Sequence, residues 1–506
     1  MADPAAARAR LVLGGLLALV VAAGLYGFVS DSGDDDGSAS ESGPDPGPTA
    51  TPVPYDGWVD PASVGGPVGQ TVPGLLTFRG NPTRTFYGQG LPNAPVTRWR
   101  FPVEPEEPLC SLSTVGPETT TTTEWCGTGW TGQPAIFERE GRTWVVFGSF
   151  GSAVHFLDGA TGTRLLPDFA VGDIIKGSVT IDPDGFPIVY FGSRDNFLRA
   201  VSFDGPVAEE LWSLDAESIS PRLHDNDWDG TPLVIDDYLF EGGENSQLHI
   251  VKLNRGYDDV TGRVTLAPEL VFNTPGWDDE LLEALDDDNV SIESSVAISG
   301  NTLFVANSGG LIQGWDISGI EAGLDPTRTF RFWVGDDTDA TLVVDDEGAL
   351  YVGVEFERPT DVGTELGQII KLDPSMPDDP VVWSLPAQVR LPDGVWATPA
   401  LTTEMLYVPT NEGFLKGIDR TTGDLVWEKK LQGPLWSSPV VVDDVLVQPD
   451  CLGVIHAYDV SDPTVDPPEI WTVSTDWCTE STVAVWNGLM VVGDRKGHVW
   501  AYADGP

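Results

Sequence analysis

Beyond residue 90 the chain restates one pattern with a period on the order of 40 to 60 residues, and a period of that order commits a chain to stacked or ring-closed repeats. Each copy opens on a small residue or a Thr/Ser-Pro step and runs into an apolar strand and a turn. A second strand ending in Gly or Asn follows, then a third with an Asp, then a strand carrying Trp. The clearest copies are ATPALTTEMLYVPTNEGFLKGIDRTTGDLVWEKKL (397–431) and SSPVVVDDVLVQPDCLGVIHAYDVSDPTVDPPEIWTV (437–473). Weaker copies start near Gly132, Gly177, Gly230, Glu293, Asp339 and Glu480, which gives eight starts. Alternating apolar residues between Gly, Asp and Asn turns, with almost no helical period, predict an all-β fold of four-stranded antiparallel sheets around an axis.

The last copy ends after its third strand, GHVWAYA, whereas VTRWRFP (96–102) has the fourth-strand pattern ahead of the first full copy. The N-terminal strand is therefore expected to complete the last sheet and close the ring, which removes an exposed edge. The one convincing helix signal is Trp277–Leu285 (WDDELLEAL), with acids at its N-terminus.

The segment GFLKGIDRTTGDLVW, with Gly413, Asp419, Thr422, Gly423 and Trp427, resembles the repeat of pyrroloquinoline quinone (PQQ) type β-propellers. LLTFRGNPTRTFYG (75–88) resembles the lead-in found before such repeats, and the likeness spans roughly residues 75–503. The resemblance implies an eight-bladed β-propeller over 75–506, with Trp99, Trp212, Trp333, Trp383, Trp427 and Trp471 wedged between blades.

Charge and the N-terminus set the setting. With 27 Lys plus Arg against 78 Asp plus Glu, the net charge is -51, which repels nucleic acid and leaves basic protein patches, metal cations and neutral ligands as partners. Arg8 and Arg10 precede the uncharged run 11–29, and at ~1.5 Å per residue this is about long enough for a ~30 Å hydrocarbon layer. The basic flank places residues 1–10 in the cytoplasm and a single-pass anchor at 11–29, with everything beyond extracytoplasmic at the cell membrane. A cleaved signal peptide is the alternative. Residues 30–74, acidic and rich in Ser, Gly and Pro at their start, read as a disordered stalk to a monomeric propeller.

Cys110, Cys126, Cys451 and Cys478 are an even set in an exported chain, and none forms CxxC or an adjacent pair. Sequence alone allows three pairings. In a propeller all four fall on one face, the face of the loops entering each inner strand, which favours Cys110 with Cys126 and Cys451 with Cys478. On that entrance the repeat also places Trp125, Trp130, Lys176, Arg194, Trp228, Glu293, Trp396, Trp436, Trp477 and Arg495 as a ligand or partner face, since aromatic planes beside carboxylates hold cationic, peptide or sugar groups. Asp225, Asp227 and Asp229, in DNDWDG, have the alternate-oxygen spacing of a calcium loop, although Leu233 at its ninth position and the absence of the closing Glu depart from an EF-hand.

Three functions compete. The first is a non-catalytic, membrane-tethered scaffold that binds an envelope protein or a neutral or cationic ligand. The second is a PQQ- and calcium-dependent dehydrogenase, which the resemblance allows. It implies an adjacent-cysteine disulfide that this chain lacks, and the tricarboxylate quinone would enter an acidic vestibule, so PQQ is disfavoured. The third is a carbohydrate hydrolase or lyase, which needs paired carboxylates or an axial His. His224 lies at the entrance, while His155, His249, His456 and His498 occupy third-strand packing positions. No catalytic residue is expected.

Overall fold

A computed structural model describes residues 55–505, apart from 68, 115–119, 130–131, 359 and 387–392. The anchor expected at 11–29, the segment 1–10 and the stalk as far as residue 54 lie outside the described residues. No helix among the described residues is long and apolar enough to cross a membrane.

Eight antiparallel sheets follow one another along the chain, their inner strands beginning at Ala135, Thr180, Leu233, Ala297, Val343, Ala400, Val440 and Ala484. We number them blades 1 to 8. In blades 2, 4, 6 and 7 four consecutive strands run outward from the axis, as in blade 6: Ala400–Leu401, Met405–Pro409, Phe414–Asp419 and Leu425–Lys430; blades 3 and 5 have the same four strands with, respectively, Gly256–Tyr257/Val264–Thr265 inserted before the outermost and Glu355–Phe356 before the third. Their inward and outward residues alternate, so adjacent blades bury one another's apolar faces: Leu415, Trp427, Val440 and Val447, for example, share a core. Blade 8 draws on both ends of the described chain, because Pro95–Phe101 pairs antiparallel with Val499–Asp504, Trp99 opposite Ala501. The outer strands of blades 2 to 8 each carry a register shift at the equivalent position. A bulge there increases strand twist.

The Ser/Thr starts of the repeats have a shared role. Around the axis, side chains at the blade starts take backbone N–H groups of the neighbouring blade. Ser178 accepts from Gln133 N at 2.8 Å, and Ser295, Thr341, Thr398 and Ser438 accept from Thr231, Ser295, Thr341 and Thr398 N, each at 3.0 Å. Gln133 Nε2 donates to Val483 O at 2.7 Å and joins blade 1 to blade 8.

The Trp-on-turn docking implied by the repeat occurs at Trp99, which donates to Gly159 O and packs on Gly162, and at Trp383, which packs on Gly423. Both glycines have positive φ, and a Cβ there would come within 2.8 Å of the indole. Trp333 instead donates to Gly309 O of its own blade, beneath the inserted helix Asp279–Leu285. That helix is capped by Asp278, and a second, Asp361–Leu366, is capped by Thr360.

Residues 55–74 differ from the stalk expected of them. Trp58 stacks edge-on against Tyr238 and Phe240, and Val59 exchanges hydrogen bonds with Gly300. The lead-in then occupies the axis. Leu75 pairs with Ile136, Leu76 O accepts from Ile181 N, Pro82 O from Ile298 N and Thr83 O from Val344 N, while Gly88 pairs with Val485. Arg79, wholly buried, donates to the carbonyls of Arg84, Thr398, Pro399 and Pro439. Proline has no N–H to return, so the Thr-Pro and Ser-Pro starts of blades 6 and 7 offer carbonyls to a guanidinium. The lead-in is thus a plug. It lies toward the face of the turns between first and second strands and leaves the other face open.

Candidate functional site: an acidic mouth

The open face is built from the loops entering each inner strand and those between second and third strands. Both disulfides lie here: Cys110–Cys126 bridges a two-stranded ribbon between blades 8 and 1, and Cys451–Cys478 joins a blade 7 loop to the connection into blade 8.

Burial decides the chemistry of the mouth. Lys176, at the entry to blade 2, makes an ion pair with Asp229 and lies 3.5 Å from Glu244 Oε1. Burial works to lower its pKa, but Asp229, Glu244, Glu293 and Asp227 outweigh it and hold the ammonium charged. Arg194 Nε lies 2.5 Å from Asp227 Oδ2, and its guanidinium rests over Trp125. Glu293 accepts from Ser291 at 3.0 Å, and Ser308 donates to Asp339 at 3.1 Å. Desolvation raises Asp227 and Glu293 to about 8 and Glu244 well above its usual range, and like-charged neighbours add to the effect. In blade 5, burial pushes up Asp337, Asp339 and Glu355; the charge of Asp339 adds to the rise at Asp337 and Glu355, whereas hydrogen bonds from Asp337, Glu355 and Ser308 oppose it at Asp339. Asp227, Asp229, Glu244, Glu293, Asp337, Asp339 and Glu355 therefore face only Lys176, Arg194 and Arg358 among the described basic residues around them. The mouth therefore holds more carboxyl groups than cations, and burial keeps several of them, Asp227 and Glu293 among them, in the neutral acid form near pH 7.

Toward blades 6 to 8 the rim turns aromatic. Trp396 and Trp436 lie 5.7 Å apart, both half-buried, and Trp477 is 62% exposed. Arg495 pairs with Glu480 at 2.6 Å and lies over Trp125 and Phe150. The structure thus places Trp125, Lys176, Arg194, Glu293, Trp396, Trp436, Trp477 and Arg495 on one face; Trp130 lies outside the described residues.

Two expectations are corrected. Trp228 offers nothing to a ligand: it is 0% exposed, donates to Asn196 O at 2.9 Å and packs on His249 in the space left by Gly192 and Gly243. Asp225, Asp227 and Asp229 do not converge as one ligand set. Asp225 and Asp227 group with Glu244, while Asp229 turns to Glu244 and Glu293, because the buried Trp228 between them separates the loop's two halves. Glu355 was missed by sequence reasoning; a single acid between Val354 and Phe356 in an otherwise apolar run was the available signal.

Residues 366–503 match the family described as outer membrane protein assembly factor BamB. The chain carries PQQ-like propeller repeats. The PQQ-like ring also resembles solved structures at low identity. The quinohemoprotein alcohol dehydrogenase from Comamonas testosteroni has a TM-score of 0.53 at 13% identity, covering 85% of this chain and 80% of its own. The computationally designed Ika8 protein has 0.51 at 13%, covering 78% and 100%, and BamB from Moraxella catarrhalis has 0.38 at 12%, covering 81% and 100%. Such likeness bears on the fold alone. No curated protein matches the chain.

Proposed function

We propose that this protein is a non-catalytic binding scaffold, held at the cell membrane by residues 11–29, whose extracytoplasmic mouth receives a cationic segment of an envelope protein. One observation carries the reading: a desolvated carboxylate surplus lies beside a tryptophan rim on the ring's open face. A Lys or Arg side chain entering there displaces protons from the buried carboxyls, which favour a cation once ionised, and meets an aromatic plane. The match of residues 366–503 to a family described as an assembly factor supports the same class of role.

The mouth does not fit the quinone of the dehydrogenase reading. A tricarboxylate would be added to carboxylates that already exceed their cations, and the two disulfides join residues far apart in sequence rather than neighbours. No reaction step is derived through it.

The test is crosslinking of the full-length protein in cells, comparing wild type with Glu293→Gln/Trp477→Ala and with a plug-side control, Asp443→Ala. A partner lost only from the mouth variant supports the scaffold. A partner kept by that variant, or oxidation of alcohols by protein supplied with PQQ, calcium and an artificial acceptor, overturns it.

A further inference from the structure

Trp99 and Trp383 each reach from the outer strand of one blade to a turn of the next and fill the space between the two. Blade 1 supplies no residue for this task. Its outer strand is reduced to Phe169–Ala170, and no Trp stands from 159 to 171. Toward blade 2 there is instead a cavity of about 290 Å³, lined by Arg139, Arg142, Trp144, Leu165, Leu166 and the turn 203–205. Glu140, in the turn between the first and second strands of blade 1, also lines it and sets it on the plugged side of the ring, away from the mouth.

Two observations give this cavity a chemical preference. The first is its cations. In a chain with 27 Lys plus Arg against 78 Asp plus Glu, two arginines on one small cavity are an exception. The Arg139 guanidinium rests over the Phe203 ring, 5.1 Å from its centroid, and Arg142, its side chain 62% exposed, lies 3.7 Å from Asp158. Of the two lining acids, Asp204 is answered from blade 3 by Arg263 Nε at 2.7 Å and by Val264 N at 2.8 Å. Glu140 points largely into water, 3.2 Å from Arg139.

The second observation is a donor without an acceptor. Trp144 is 7% exposed, and its buried Nε1–H has no hydrogen-bond partner among the described residues. A buried indole N–H ordinarily finds a partner, and leaving the bond unmade is costly. Guanidinium and indole groups donate and never accept, so what satisfies them is an acceptor, and beside two arginines an anionic one. A phosphate dianion asks for more cationic donors than two partly committed guanidiniums supply, whereas a carboxylate takes a forked pair from one Arg. Leu165, Leu166 and Phe203 leave the rest of the surface to an apolar body.

We propose that the cavity between blades 1 and 2 binds a small organic carboxylate with an apolar body, its oxygens taken by Arg139, Arg142 and the Trp144 indole. The site goes beyond the scaffold reading, since it stands whether or not a partner binds the mouth.

Calorimetric titration of the full-length protein with phenylacetate, at about 0.15 M salt to screen the chain's overall charge, tests it. We expect one ligand per chain with a Kd of ~1 mM or tighter, within reach of a ligand of about ten non-hydrogen atoms. Phenylacetamide, which keeps the shape and loses the charge, should bind ~10-fold more weakly or worse. Arg142→Gln and Trp144→Phe should each weaken phenylacetate by ~5-fold or more. The indole ¹⁵N–H resonance that Trp144→Phe removes should shift when wild type is titrated. Leu166→Trp, which offers the cavity the indole that blade 1 lacks, should abolish binding, and Trp477→Ala at the mouth should leave it unchanged. No binding up to about 10 mM, tenfold above the expected Kd, overturns the site. Equal binding of the amide, an unmoved Trp144 resonance, or affinity that survives both Arg142→Gln and Trp144→Phe overturns it as well. Should Leu166→Trp fail to fold, the exposed Arg142→Gln and the wild-type resonance still decide the matter.

Discussion

The two ends of the axis answer the same problem in opposite ways. At the plugged end, the Arg79 guanidinium is brought inside and served: it spends its hydrogens on four carbonyls, from its own segment and from blades 6 and 7. At the mouth, negative charge is brought inside and only partly served. A satisfied buried charge rigidifies a fold, whereas an unsatisfied one raises its energy until a ligand or a proton arrives. The plug therefore belongs to stability and the mouth to recognition.

The largest effect should come from breaking the plug. Arg79→Ala is expected to cost about 3 kcal/mol or more, since each buried acceptor left unpaired costs ~1–3 kcal/mol, and urea melts would read it. Trp427→Ala, which empties a buried site against Tyr407 and Gly417, should cost ~3 kcal/mol by cavity formation.

The mouth should respond to pH instead. Asp227 and Glu293 have folded pKa values raised to about 8, so the native state holds more protons than the unfolded chain from about pH 4 upward. Stability is then highest at the acid end of that window, falls as pH rises toward 8 and levels off above it. A melting temperature in chelator that rises between pH 5 and 8 would contradict this. Glu293→Gln should flatten the slope.

The smallest effect is expected at the rim. Trp477→Ala should move the melt by less than ~0.5 kcal/mol, as exposed substitutions do, while weakening partner capture. An equal loss of stability in Trp477→Ala and Trp427→Ala would abolish the distinction between rim and core.

How much of this was legible depends on where each partner lies in sequence. Blade 6 could be read outright because Asp419, Thr422 and Gly423 make its outer turn locally, with Asp419 accepting from Thr421 and Thr422 N. The cysteine pairs followed once the loops were assigned to faces. Arg79 and Arg84 gave no signal, because beside their local partners they reach backbone carbonyls hundreds of residues away, Thr398, Pro399 and Pro439 for Arg79 and Val296 for Arg84, which no spacing encodes. Trp228 misled because DNDWDG looks solvated, and only the two glycines that admit its indole, Gly192 and Gly243, reveal otherwise. The helix at Asp361–Leu366 was missed because DVGTEL is too short to show an apolar stripe.

The seating of Trp58 and Val59 has a mechanical consequence. Both grip blades 3 and 4 on the plugged side before the chain turns inward: Trp58 donates to Ile317 O at 3.1 Å, and Val59 is tied to Gly300. A pull applied at Tyr55 is therefore taken up in shear by this clasp and not transmitted to Arg79 on the axis, much as a cable gland shields a soldered joint.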